Sequence, residues 1–172
     1  RAAGRSMLPE HQHAAREDDG SPGCSNCADL LCLLRLNEIV LGRVAPDVGA
    51  KAMLDELARL DGVVRAIVVV PTADPGRVEL LAHFGLPEHQ PHSPLSKSTP
   101  PMLAQAMATR QLVQLSASEG GSSYACVSVP LLGGEQVLGG LSIGLRHAVP
   151  IRPWTEQMIW AAADLVALLL LD

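Results

Sequence analysis

Residues 63–70 read VVRAIVVV, a run so rich in β-branched side chains that it demands a place in a sheet. A turn, TADPG, follows it, and then RVELLAHFG (77–85), so the two segments read as a hairpin whose first strand is buried. A chain containing such a strand must cover it on both sides, and the segments before and after supply the cover.

From Asp29 the apolar stripe Leu30, Leu31, Leu33, Leu34, Leu36, Ile39, Val40, Leu41 and Val44 predicts a helix that Pro46 stops. Asp47 is placed to cap a second helix, with Val48, Ala52, Met53, Leu54, Leu57 and Leu60 at helical spacing up to the turn Asp61-Gly62. Residues 85–100, GLPEHQPHSPLSKSTP, are too rich in proline for a long regular element, whereas 102–111 read as a short helix. LVQL, a small-residue loop at 116–123, and two strands at 124–132 and 136–145 joined at Gly133-Gly134 come next. A last helix runs from about Thr155, its expected cap after Pro153, to Leu171. The order ααββαβββα predicts an α+β domain: an antiparallel sheet of about five strands, with the N- and C-terminal helices on one face.

The chain's 172 residues suit one domain, taken as 24–172, behind a flexible tail at 1–23 that lacks apolar periodicity. Thirteen basic against eighteen acidic side chains leave no phosphate-neutralising stripe, and only Phe84, Tyr124, Trp154 and Trp160 are aromatic, so nucleic acid is not an expected partner. The opening residues hold no apolar run of signal-peptide length. The apolar end IWAAADLVALLLLD is short for a membrane span and carries Asp164, so a core helix is expected there and no membrane partner. Starting at Arg1, the chain reads as part of a longer cytoplasmic protein whose attached output domain lies elsewhere.

VSVPLLGGEQVLGGLSIGL (127–145), followed by PWTEQMIWAAADLVALLL, resembles the end of a GAF domain, in which a strand closing on a Pro-Leu pair turns into a glycine-containing strand and then a long helix. AKAMLDELARLDGVVRAIVVV and the hairpin ending at His83-Phe84-Gly85 sit where that family places its second helix and first two strands. The similarity covers residues 29–171. It implies a regulatory module of a signalling or transcription-regulatory protein, one that binds a small molecule or senses redox state, forms a homodimer through its terminal helices, and is no enzyme. The fold does not name the ligand.

Strand alternation locates a candidate site. Ala125, Val127, Val129 and Leu131 share one face, expected to meet the helices, while Tyr124, Cys126, Ser128 and Pro130 share the other. Ser142 interrupts the next strand, and His83 alternates with Glu79 and Leu81. Tyr124, Cys126, Ser128, Ser142 and His83 are therefore the expected ligand-binding residues, lidded by 85–100 and by the loop 116–123. Local satisfaction of each within core or edge is the plainer alternative.

Cys24 and Cys27, a C-x-x-C pair just before a helix, with Cys32 beyond, raise a redox or metal reading. A fourth ligand would have to be His11, His13 or Cys126, and only one local pair is visible, so no metal and no cofactor is expected, and a reversible Cys24–Cys27 disulfide is the sharper option. His89 and His92 lie in the proline-rich stretch without helical metal spacing. Set against the subgroups of the family, no Asn-Lys pair occurs and Phe84 precedes Glu88-His89 where the cyclic-nucleotide binders carry Asp-Glu. Cys126 lies between Ala125 and Val127, without the neighbouring histidine common in bilin attachment. Beyond Cys32 it is also the lone cysteine, whereas the GAF-like methionine sulfoxide reductases gather several. Two alternatives stay open: a ligand-free dimerisation module, and a thiol sensor using Cys24, Cys27 and Cys32.

Overall fold

The structure, a computed structural model, describes residues 25–60, 62–86, 100–119, 122–146 and 153–171. The elements follow the expected order: α1 (Ser25–Leu41), α2 (Pro46–Leu57), β1 (Val63–Pro71), β2 (Val78–Phe84), α3 (Pro101–Thr109), β3 (Val113–Glu119), β4 (Ser122–Gly133), β5 (Gln136–Leu145) and α4 (Pro153–Leu171). The tail 1–23, Cys24, His89 and His92 lie outside the described residues, as does most of the expected lid at 85–100.

The sheet runs β2-β1-β5-β4-β3 with every pair antiparallel. β4 and β5 meet through Gly134-Glu135, where Gly134 takes φ 63, the left-handed geometry that a two-residue hairpin loop requires. The β-branched β1 lies between β2 and β5, so the last strand of the chain returns to pair with the first.

One face of the sheet carries the main core. Val68, Val127, Val129, Leu131, Leu141 and Ile143 pack with Leu36 of α1, Met53, Leu54 and Leu57 of α2, and Met158, Ile159, Ala162 and Val166 of α4, all essentially inaccessible. At about 1.5–3 kcal/mol for each large aliphatic side chain, this layer is the main source of stability. α3 lies on the opposite face, where Leu103 and Met107 join Ile67, Val69, Val78 and Leu80 in a smaller cluster.

Several boundaries differ from expectation. α1 begins at Ser25, so Cys27 falls within the helix, and it ends at Leu41, before Gly42 and Arg43 (φ 47). Pro46 opens α2 as its first residue, a position where the missing N–H costs nothing, and Asp47 sits in the first turn behind an Ala45 N-cap. Thr155 likewise lies inside the first turn of α4, which starts at Pro153. The expected loop 116–123 is largely ladder: Ser116 pairs with Ala125 and the pairing runs out to Glu119 opposite Ser122, so strand stands where a loop was expected. Small residues such as SASE read as loop from composition, but here β4 provides a partner for each of them.

Candidate functional site

β4 alternates as its sequence demands. Val127, Val129 and Leu131 enter the helix-side core, and Cys126 and Ser128 face the side that carries α3. Across from them Ser142 of β5 contacts both. Ser128 Oγ donates to Ser142 Oγ at 2.9 Å, and Cys126 Sγ lies 3.4 Å from the same oxygen. Ser128 is completely buried, the one polar side chain so placed among the described residues, and this bond satisfies it.

Register carries the row across the whole sheet. His83 of β2 stands opposite Ile67, Ile67 opposite Ser142, Ser142 opposite Ser128, and Ser128 opposite Val113. His83 thus shares the serines' face but is separated from them by the width of β1. Its neighbours on that face are Leu80 and Val78, and not the expected Leu81 and Glu79. A bulge is responsible: Val68 pairs with Ala82 but Val69 with Leu80, which leaves Leu81 as an extra residue turned into the helix-side core. His83 Nδ1 is buried and has no hydrogen-bond partner among the described residues. Tyr124 stands in β4 opposite Ala117, and its side chain lies outside the described residues.

Two glycines shape the ends of this face. At Gly140 a Cβ would come within 2.6 Å of Leu103 Cδ1, so the bare backbone is what lets α3 dock. At Gly144, opposite Cys126, a Cβ would fall 2.5 Å from Arg65 Cγ and 2.6 Å from its Nε, so the Arg65 side chain crosses β5 where only a hydrogen stands. From Gly140 to Gly144 is four residues, about 13 Å of strand, with Ser142 midway. Arg65, Gly140 and Gly144 were not singled out from sequence. A signal for the first was present, since Arg65 is the one charge in the apolar run 63–70 and has the parity of Ile67 and Val69.

Cys32 and Cys126 do not converge. Cys32 is buried in the helix-side cluster with Sγ 3.9 Å from the Glu56 carbonyl, on the other face of the sheet from Cys126. Among the described residues no three His, Cys, Asp or Glu side chains gather in a metal-binding arrangement. A separate groove of about 510 Å³ lies between α1 and α2, lined by Arg35, Glu38, Ile39, Glu56 and Arg59. Its polar groups largely answer one another: Glu56 meets Arg35 at 3.4 Å and Arg59 at 3.5 Å.

No family model matches the chain, and no curated protein resembles it in sequence. Solved structures do resemble it in fold. The GAF domain of an Acinetobacter phosphoenolpyruvate-protein phosphotransferase superposes with a TM-score of 0.68 at 19% identity, over 83% of this chain and 92% of that one. The corresponding domain from Coxiella burnetii gives 0.67 at 14%, over 83% and 93%. The reduced form of a Staphylococcus aureus free methionine sulfoxide reductase gives 0.63 at 14%, over 83% and 94%. The domain therefore has the GAF fold. Among the described residues no helix is long and apolar enough to cross a membrane.

Proposed function

We propose that this domain is the regulatory sensor of a larger cytoplasmic signalling or transcription-regulatory protein, and that it binds a small molecule on the sheet face that carries Cys126, Ser128 and Ser142. The observation that carries this reading is the hydrogen-bonded Ser128–Ser142–Cys126 group on a face it shares with the aliphatic Ile67, Val69 and Leu80, with the unpartnered His83 Nδ1 in the same lateral row. A few convergent polar groups in an apolar setting are what a small-molecule site requires.

β4 would serve as the transmitter. It presents Cys126 to the site and Val127 and Val129 to the layer containing α4, so a ligand that shifts the strand displaces the helix directly behind it. The output side is a homodimer built on α1 and α4. Leu31, Leu34 and Leu41 on α1 and Leu168 and Leu171 on α4 are each at least half exposed, an area one domain leaves uncovered. That same observation favours the second reading, a dimerisation module without ligand.

Binding is preferred to catalysis because, among the described residues, Cys126 is the sole cysteine of the candidate face, while Cys32 packs behind the sheet. A metabolite panel screened by thermal shift tests the sensor reading. The expected result is a ligand whose stabilisation Ser142→Val abolishes. Stabilisation that survives Ser142→Val and Cys126→Leu alike places the site elsewhere.

A further inference from the structure

We propose that the ligand of this face is a small organic oxyanion held by Arg65; the inference deepens the sensor reading and rests on it. On β1, β2, β5 and β4 the positions that share the face with Ser142 include Arg65, Ile67 and Val69, then His83, Leu80 and Val78, then Gly140 and Gly144, and then Cys126, Ser128 and Pro130. These include one guanidinium and no carboxylate; on the edge strand β3 the acidic position of the same parity, Glu119, lies at the end of the ladder opposite Ser122, four residues along β4 from Cys126. The adjoining helix α3, PMLAQAMAT, adds no charge of either sign.

Most other cations of the described structure have oxygen partners. Arg35 and Arg59 pair with Glu56, Lys51 with Asp55 and Arg77 with Asp74, while Arg110 donates to the Gly134 carbonyl. Arg65 has no such partner among the described residues. Its side chain does not stand free of the sheet either: it lies over Gly144, beside the Cys126 position and two residues along β5 from Ser142. A planar guanidinium fork laid along a floor that offers hydroxyl groups suits a carboxylate or phosphate with a polar remainder. In this arrangement Arg65 takes the anionic end, Ser142 and Cys126 meet the remainder with Ser128 holding Ser142 from behind, and α3 bounds the far end at Gly140.

The test uses the 172-residue chain and measures affinity by calorimetry and stabilisation by thermal shift. The probes are acetate, succinate and inorganic phosphate, with acetamide and succinamide as neutral counterparts. The variants are Arg65→Gln, Gly144→Ala, which displaces the arginine while keeping its charge, and Ser142→Val, with Arg77→Gln as a surface control. The expected result is binding of at least one anion, weakened roughly ten- to hundredfold by Arg65→Gln, the size of a charge-assisted hydrogen-bond pair, weakened also by Gly144→Ala, and unchanged in Arg77→Gln. Response to acetate or succinate identifies a carboxylate ligand, and response to phosphate alone a phosphoryl one; both support the assignment. Anion effects equal in all variants overturn it. Binding of an amide that Ser142→Val abolishes and Arg65→Gln spares overturns the anion assignment and leaves the sensor site standing. Failure of every probe counts against both.

Discussion

Ser128 and Ser142 face each other across β4 and β5 with their hydroxyl oxygens 2.9 Å apart, and the Cys126 thiol approaches the same Ser142 oxygen at 3.4 Å. Because Ser128 is wholly buried, its hydroxyl depends on this one neighbour. Removing Ser142 alone leaves a buried donor unmatched, at about 1–3 kcal/mol, whereas removing both hydroxyls leaves nothing to satisfy. Ser142→Ala combined with Ser128→Ala is therefore expected to cost less than the sum of the two single changes. A double-mutant cycle by urea denaturation measures the coupling, and strict additivity would refute the dependence.

Adjacent residues of β4 are expected to respond in opposite ways. Val127→Asp places a charge in the helix-side core, at about 3–5 kcal/mol, a large share of the stability of a domain this size. Cys126→Leu adds bulk to the other face and costs about 1–3 kcal/mol while blocking the proposed site. Circular dichroism melts of the two variants decide the matter, and a harmless Val127→Asp would contradict the burial of that position.

Gly140 and Gly144, the glycines of β5 on the candidate face, differ in what crosses them. Gly140→Ala meets Leu103, which is buried in the α3 cluster, and should loosen α3 at a cost of about 1–3 kcal/mol. Gly144→Ala meets the exposed Arg65, which can swing away, and should leave the melting temperature nearly unchanged. Amide exchange on α3 distinguishes them, with faster exchange expected for Gly140→Ala only.

Leu31→Glu with Leu34→Glu tests the dimer. Both positions are 55% exposed, so the double change should alter the stability of the isolated domain by less than about 1 kcal/mol while dissociating the assembly. Light scattering at high concentration reads the mass, and a dimer that survives the change would exclude this face of α1 as the contact.

Arg35 and Arg59 hold Glu56 at 3.4 and 3.5 Å, but both guanidiniums are about half or more exposed. Arg35→Ala is accordingly expected to cost no more than about 1 kcal/mol, an effect that high salt should diminish. A loss several times larger, measured in denaturant, would show that the pair fastens α1 to α2 more strongly than solvent screening allows.

Local periodicity determined much of this domain. The order of elements, the β-branched β1, and the division of β4 into a Val127–Val129 side and a Cys126–Ser128 side follow from side-chain spacing within single segments, because a strand alternates wherever it lies. The terminal helix was equally legible as apolar. Which of its leucines are covered was not, since Leu169 is buried and Leu168 half exposed according to what packs beside them.

Tertiary pairing decided the rest. The bulge at Leu81 turns His83 onto the serines' face, and nothing within VELLAHF announces it, because a bulge is a mismatch between two strands and belongs to neither alone. The return of β5 to β1 sets Ser142 opposite Ile67 and Gly144 opposite Arg65, joining residues nearly eighty positions apart. Alternation could assign Arg65 a face. Only that pairing could supply the glycine across which its side chain lies.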